Sequence, residues 1–423
     1  METADNKLNL GGIPAETLAD EFGTPLYVYE EAVIRERCRE LRMAFSAIGP
    51  QIHYAIKANF NPAILAVVLN EGMGVDAVSP NEVRLALEVG FLPDQILFTG
   101  NNTSETEMRE VVQLGVPVNV GSLGELDRFG RLNPGGRVSV RINPDVGDGH
   151  HHHVITGGPD SKFGVYHTET ARVEEILIRH RLTLTGIHSH IGTGILQTGQ
   201  MVEAMEIILR AAARFPNLEF INFGGGFGIP YRPESPPLPL ARLGEEMAER
   251  FFRFQRGYGQ PLNMKLEPGR FLVAQAGTLL TRVTNIQATP AHTFVGCDSG
   301  FNHLARPILY GAYHRVVNAS RMEGETITAA IAGNICESGD VFTQDKNGIE
   351  DRPITAPREG DLLALLDVGA YGMALASQYN LRARPAEVMV NNGKAKLIRN
   401  RETYESLVRD FLPFPSFSAT KPV

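Results

Sequence analysis

From about residue 50 to Glu267 the chain repeats one pattern: a short apolar run, a turn, then a stretch with helical spacing of apolar residues. Gln95 to Thr99 reads as a strand and Ser104 to Leu114 as a helix; Val116 to Val120 and Ser122 to Leu132 repeat the pair. Val138 to Asn143, Thr183 to His190, Glu219 to Phe223 and Asn263 to Glu267 continue it, with helices expected at Thr168 to His180, Gly199 to Phe215 and Leu240 to Tyr258. Upstream, Pro25 to Tyr29, Ile52 to Lys57 and Val75 to Val78 are strand-like, with helices over Glu30 to Phe45, Pro62 to Gly72 and Pro80 to Val89. Successive parallel strands need a crossover, and a helix is the usual one. About eight such units predict a (β/α)8 barrel, whose chemistry lies at the C-terminal ends of the strands.

After Gly269 the grammar changes. Thr278 to Ala288, Thr293 to Asp298, Thr326 to Ile331 and Leu362 to Val368 are strand-like, with no regular helix expected between them. Residues 26–268 are therefore expected to be the barrel and 269–412 an all-β domain, with 413–423 a flexible tail rich in proline. At 423 residues, 43% hydrophobic and 21% charged, the chain is long enough for both units and has the composition of a globular protein. No window of about 18 apolar residues suggests a membrane span, and the polar N-terminus carries no signal-peptide core. Cys38, Cys297 and Cys336 are odd in number and widely spaced, giving no disulfide framework or metal-site spacing, which fits a cytoplasmic location. The net charge of −8 argues against nucleic acid as a partner.

Several residues at strand ends carry chemistry. Lys57 is the only lysine between Lys7 and Lys162, and it follows the alternating Ile52, Tyr54 and Ile56. It is either a surface lysine at a strand end or a desolvated amine whose lowered pKa suits imine chemistry. Gly224-Gly225-Gly226-Phe227-Gly228 follows the Phe223 strand, and such loops let backbone N–H groups approach a phosphate. Glu267-Pro268-Gly269-Arg270 ends the next strand. Its acid and base either pair with each other or act separately, the carboxylate on a pyridine nitrogen and the guanidinium on an anion. His188-Ser189-His190-Ile191-Gly192-Thr193 offers imidazoles that are either core residues or ring-stacking groups. Cys336, in Cys336-Glu337-Ser338-Gly339-Asp340, is either a buried small hydrophobe or a neutral proton donor whose thiol pKa the neighbouring acids raise. Tyr371 adds a hydroxyl in a glycine-rich turn. His150 to His153 stand in a glycine-flanked segment expected to be an active-site lid, and four adjacent histidines indicate metal only weakly.

Taken in order, Tyr54 to Asn59, His188 to Gly192, Gly224 to Gly226, Glu267 to Arg270, Cys336 to Asp340 and Gly369 to Gly372 resemble the pyridoxal-phosphate decarboxylases of the alanine racemase-like fold. The resemblance runs from about Pro25 to Leu412 and is strongest to the proteobacterial type of diaminopimelate decarboxylase. It implies that residues 1–25 join the C-terminal β domain. It also implies that Lys57 forms the internal aldimine with pyridoxal 5'-phosphate, that His190 stacks on the ring, and that Glu267 faces the pyridine nitrogen. Thr193, Gly225, Gly226, Gly269, Arg270 and Tyr371 would bind the cofactor too, its phosphate held by Thr193, Gly226 and N–H groups near Gly269 with Tyr371 assisting; Arg270, Arg306, Tyr310 and Tyr371 would bind substrate, with Glu337 on its distal ammonium. Cys336 would donate the proton, and Cys336 with Glu337 would reach the site from a second copy, so a homodimer with shared sites is implied. The reaction implied is decarboxylation of meso-2,6-diaminopimelate at its D centre to L-lysine, the last step of lysine biosynthesis.

Alternatives within that fold are decarboxylation of D-ornithine, D-lysine or carboxynorspermidine, an amino-acid racemase, and a non-catalytic carrier of the cofactor. A distal ammonium has no use for a second arginine, so Arg306 favours diaminopimelate. A racemase would lack the Cys336 to Asp340 run, and a carrier would lack the β domain. Gly333-Asn334-Ile335 and Ser377-Gln378-Tyr379-Asn380 depart mildly from the family pattern and touch no assigned role.

Overall fold

A computed structural model describes residues 2–145, 148–149, 158 and 160–411. The lid expected at His150 to His153 and the tail at 413–423 lie outside the described residues.

The apolar runs form a curled parallel sheet with helices between its strands, so the fold is α/β. Gln51–Ala55, Gly74–Ala77 and Ile96–Phe98 pair in sequence order. Phe98 meets Val118 in a parallel bridge. Asn119–Val120, Arg137–Asn143, Thr183–His188, Phe220–Asn222 and Asn263–Leu266 follow, each beside the next. Lys265 and Leu266 then pair with Gln51 and Ile52, bringing the last strand beside the first. The strand expected from Val116 is shorter than its apolar run: only Asn119–Val120 is strand. Pro117 has no N–H for a ladder, and its carbonyl instead accepts from Phe98 N.

Local signals place the helices. Asn61, Ser79 and Ser122 each cap the helix that follows, accepting from Ala63 N, Glu82 N and Glu125 N, and proline opens the first two. Gly90, at φ 111°, ends the Pro80–Val89 helix in a conformation that favours glycine. Each strand therefore stops abruptly, and its C-terminal end opens into a turn on the same side of the sheet.

A second sheet lies beyond Gly269. Its long strand, Gly277–Ala288, pairs antiparallel with Thr293–Cys297 and with Leu362–Leu365. The strand at Leu26–Glu30 belongs here too: it sits between Gly277–Ala288 and Ala386–Asn391. That corrects the expectation that the parallel unit begins at residue 26. Four of its five residues are buried, so its sequence shows no alternation that would tell one sheet from the other. The expectation of no helix in this region also needs correction, since a short one spans Arg306–Tyr310.

The N-terminal strands Lys7–Leu10 and Ile13–Pro14 cover this second sheet. Leu8, Leu10 and Leu18 pack with Leu26, Leu280, Leu362 and Val388 in a core separate from that of the parallel sheet. Burying each such leucine contributes about 1.5–3 kcal/mol. No helix among the described residues is long and apolar enough to cross a membrane.

Candidate active site

Lys57 lies on the single turn Ile56–Ala58 that follows Gln51–Ala55, one step beyond the strand expected to carry it. Ile56 and Ala58 point into the core, while the Lys57 side chain is accessible. Three hydrogen bonds stitch this turn to the second sheet's loop or to itself: Tyr371 N donates to Ala58 O at 2.8 Å, Asn59 Nδ2 to Gly369 O at 3.0 Å, and Tyr54 Oη to Asn59 O at 2.9 Å. The lysine is thus fixed where the two sheets meet.

The surrounding charges were read only partly from the sequence. Burial pulls the Lys57 pKa down, but Asp76, Tyr371 and Glu267 push it up, and the net shift is upward. The expected neutral amine is therefore overturned, because nearby carboxylates outweigh desolvation. Lys57 keeps accessible surface, while its amine is surrounded by protein charges. Glu267 accepts from Asn222 Nδ2 at 2.7 Å and from His188 Nε2 at 2.9 Å. Burial pushes its pKa up, but His188, Lys57 and His190 win, and the carboxyl stays ionised far below the usual range. Asp76 goes the other way, raised by burial and by the charge of Glu267. Its Oδ1 finds no hydrogen-bond partner among the described residues.

Glu267 and Arg270 do not pair with each other, which removes the structural reading of that motif. Arg270 turns away and donates to Tyr231 Oη at 2.7 Å and to Thr193 Oγ1 at 3.3 Å. His190 accepts from Gly225 N at 3.1 Å through Nδ1, and burial lowers its pKa well below the usual value. It is a neutral ring with a fixed orientation.

The glycine loop is a cradle in which side chains do not fit. A Cβ on Gly225 would stand 2.2 Å from Glu267 O, and one on Gly228 2.7 Å from Gly194 C. Gly226 has φ 101° and abuts Gly192 O. Gly269 lies against Ala55, Ala58 and the Tyr371 hydroxyl. Gly269 thus meets both the Lys57 turn and the Tyr371 hydroxyl, Gly225 meets Glu267, and Gly226 meets Gly192 beside Thr193. A flat ring with an attached phosphate fits this set: an amine for its aldehyde, an ionised carboxylate for a ring nitrogen, a neutral imidazole, and backbone N–H groups freed of side chains.

Arg306 and Tyr310 lie on the Arg306–Tyr310 helix. Arg306 is fully buried, its guanidinium 4.6 Å from the Tyr231 ring centre, and Arg270 lies 5.6 Å from the same ring. Neither arginine forms an ion pair with a carboxylate among the described residues. Cys336 and Glu337 are exposed, so the reading of Cys336 as a buried hydrophobe fails. Their loop is held instead by Asp340, which accepts from Phe301 N and Ile335 N, and by Asn380, which accepts from Cys336 N at 2.7 Å. No hydrogen bond or ion pair joins the Cys336 or Glu337 side chain to the Lys57 group among the described residues.

Four contributors were missed. Asp76 could have been found as the one charge in the apolar run Val75 to Val78. Arg141 is buried, donates to His190 O at 3.1 Å, and has its pKa lowered to about 10 by burial. It is the one charged residue inside the strand expected from Val138 to Asn143. Tyr231 and His314 carry no local signal; only the tertiary fold brings them to the arginines. Two cavities of about 560 and 590 Å3 lie elsewhere, lined by groups such as Tyr313, Arg352 and Thr355, or Arg137, Phe220 and Lys265. Neither contains a candidate residue, so charge and hydrogen bonding, rather than volume, mark the site.

Residues 31–274 match the model of the pyridoxal-dependent decarboxylase family, pyridoxal binding domain. The chain is 44% identical over 413 residues to the diaminopimelate decarboxylase of Methanothermobacter thermautotrophicus, covering 95% of each chain. It is 37% identical over 418 residues to that of Escherichia coli K12, covering 96% of each. The crystal structure of diaminopimelate decarboxylase from M. jannaschii in complex with L-lysine superimposes with a TM-score of 0.88 at 33% identity, covering 97% of this chain and 98% of that one.

Proposed function

Because the chain belongs to the diaminopimelate decarboxylases within the pyridoxal-dependent decarboxylase family, we propose that it removes the carboxylate at the D centre of meso-2,6-diaminopimelate, releasing CO2 and leaving L-lysine. Its cofactor is pyridoxal 5'-phosphate, which supplies an electron sink for the carbanion left by decarboxylation. Lys57 would hold the cofactor through its aldehyde and would supply the amine at that position. Glu267, held ionised by His188 and Asn222, keeps a ring nitrogen protonated. His190, a neutral imidazole oriented by the hydrogen bond that its Nδ1 accepts from Gly225 N, would stack against the ring. Thr193, Gly225, Gly226, Gly269 and Tyr371 line the phosphate pocket.

One observation carries the substrate assignment: Arg270 and Arg306 are buried against the same Tyr231 ring with no carboxylate ion pair among the described residues. Such a pair is costly unless a ligand brings the anion. The distal carboxylate of diaminopimelate does so, with Tyr310 beside it. Ornithine, lysine read from its D end, or carboxynorspermidine would put an ammonium or a neutral chain there. The test compares CO2 release from meso-diaminopimelate with that from D-ornithine and D-lysine. A higher kcat/KM for either amine-ended substrate sinks the assignment.

We read the curled sheet and its helices as a (β/α)8 barrel, and the second sheet as a C-terminal β domain joined by residues 1–25. The pairing of Leu26–Glu30 moves that strand into the β domain. The assembly is a cytoplasmic homodimer in which Cys336 protonates the carbanion and Glu337 holds the distal ammonium of the other copy's substrate. Support comes from their exposure, and from exposed Leu375, Tyr379 and Leu381 close in sequence to the Asn380 that holds their loop. Mixing inactive Lys57→Ala and Cys336→Ala chains should restore activity through one intact shared site. A mixture as inactive as its parents would exclude sharing.

A further inference from the structure

Most arginines of this chain that are tied down are tied to acids. Arg352, nearly as buried as Arg306, takes Glu350 at 2.6 Å, and Arg384 takes Glu402 at its own corner of the fold. Arg306 is different. Its Nη1 donates to His314 Nε2 at 2.7 Å. A guanidinium has no lone pair to offer, so Nε2 is the acceptor. The other ring nitrogen, Nδ1, lies 2.9 Å from Leu366 O, which only accepts, so Nδ1 carries the proton. Both ring positions are thereby assigned, and the imidazole is neutral.

The ring is also held from other sides. Tyr231 meets it edge-on at 5.3 Å and 77°. Arg352 Nη1 donates to the His314 carbonyl at 3.0 Å, and Arg315 O accepts from Leu366 N, closing the backbone around it. Burial and the adjacent charge of Arg306 lower the His314 pKa well below its usual value, in keeping with a ring that does not protonate.

The choice of partner matters for charge. A carboxylate at this position would satisfy the guanidinium and also cancel it. A neutral acceptor satisfies one N–H, fixes the planar group, and leaves the full positive charge. We propose that His314 is a positioning residue, whose neutral Nε2 holds Arg306 in place while leaving its charge for the distal carboxylate of the substrate. The inference rests on the reading that Arg306 binds that carboxylate. Neither the sequence motifs nor the relatives' names mark His314 for this role. Eight residues from Arg306, just past the end of its helix, it acts only through the arginine.

The experiment uses the full-length holoenzyme and three variants: His314→Gln, which keeps an acceptor; His314→Leu, which removes it; and His314→Glu, which adds an anion. Steady-state constants for meso-diaminopimelate are measured with the thermal midpoint. Cofactor absorbance then reports binding of L-lysine and of cadaverine, which is lysine without its carboxylate. His314→Leu should raise KM about 10- to 100-fold, the size expected for a hydrogen bond to a charged group, with kcat changed far less. His314→Gln should stay within about 3-fold of wild type. His314→Glu should lose at least as much substrate and lysine affinity as His314→Leu while melting no lower than His314→Leu, a split that a merely structural role would not give. Cadaverine binding should be unchanged throughout.

If His314→Leu is too unstable to retain cofactor, the Gln and Glu variants decide. Equal KM for those two overturns the proposal, as does a His314→Glu enzyme that binds lysine as wild type does. Wild type that prefers lysine over cadaverine but releases no CO2 from meso-diaminopimelate would overturn the functional reading alone. Wild type with no preference for lysine over cadaverine would overturn the role given to His314.

Discussion

Glu267 and Arg306 are both buried and both charged, yet they are held in opposite ways. Glu267 stands among groups that compensate it: two hydrogen-bond donors, His188 and Asn222, and the nearby amine of Lys57. Arg306 has a neutral imidazole, a tyrosine face, and a second guanidinium for a neighbour. Burial and the charge of Arg270 lower its pKa to about 10, which is unusual for an arginine but leaves it charged at neutral pH. The charge of Glu267 is answered by protein groups alone. The region of Arg306 is left with excess positive charge. Burying a lone charge costs several kcal/mol, so a fold keeps such an arrangement where something else completes it. The comparison separates a part of the site that stabilises the chain from a part that stabilises only the complex.

The largest effect should come from removing the amine beside Glu267. Lys57→Ala should lower kcat by roughly 10^3-fold or more and abolish the absorbance of the cofactor–lysine bond. A borohydride-resistant band surviving in that variant would take Lys57 out of its role. Next, Arg306→Leu should raise KM roughly 100-fold while leaving the thermal midpoint unchanged or higher, because an uncompensated charge has been removed. A large fall in the midpoint would show that Arg306 supports the fold, and the contrast would collapse. Glu267→Gln should do the reverse and cost roughly 3 kcal/mol of stability in denaturant titration, since it breaks a compensated buried pair. Unchanged stability there would equally erase the difference between the regions.

The smallest effect concerns pH. His53 is lowered to about 4 by burial and by Lys265, and His303 to about 4 by burial. Both are neutral when folded and take a proton when unfolded below about 6.5. Their contribution is therefore present above that value and is lost as pH falls toward 4. At pH 6 the loss should be about 0.8 kcal/mol each. Glu267 adds nothing at pH 6, where an unfolded glutamate is still ionised; its depressed pKa adds to the loss only as pH falls into the ordinary carboxylate range. A thermal midpoint that rises from pH 7.5 to pH 6 would contradict the neutral assignment of these rings.

The sequence made one half of this contrast more legible than the other. The Gly224 to Gly228 loop, Glu267 and Lys57 fall at strand ends, where a repeating βα pattern says where to look. Arg270 and Arg306 were visible as residues, but their isolation from acids was not. That isolation depends on Tyr231 and His314, which stand in ordinary strings and gain meaning only by folding together. The direction of the Lys57 pKa was misread for a related reason. Burial can be guessed from a strand pattern, but Asp76 had to be placed beside the amine before its charge could be weighed. The Leu26–Glu30 strand failed differently: a strand buried on both faces looks the same in either sheet.

That strand has a consequence for how the chain is made. Leu26 bonds in register with Leu280 on one side and with Ala386 on the other. The later partner emerges about 360 residues after it. At about 5–20 residues per second, Leu26–Glu30 waits roughly 20 to 70 s on the ribosome before its sheet can close. During that time its apolar side chains and both edges lie open. The helices and parallel strands that follow can assemble in the meantime, so the first strand synthesised is among the last to find its place. A stalled or shortened chain that stops before residue 386 would leave this segment exposed, and it is there that aggregation of nascent chains should begin.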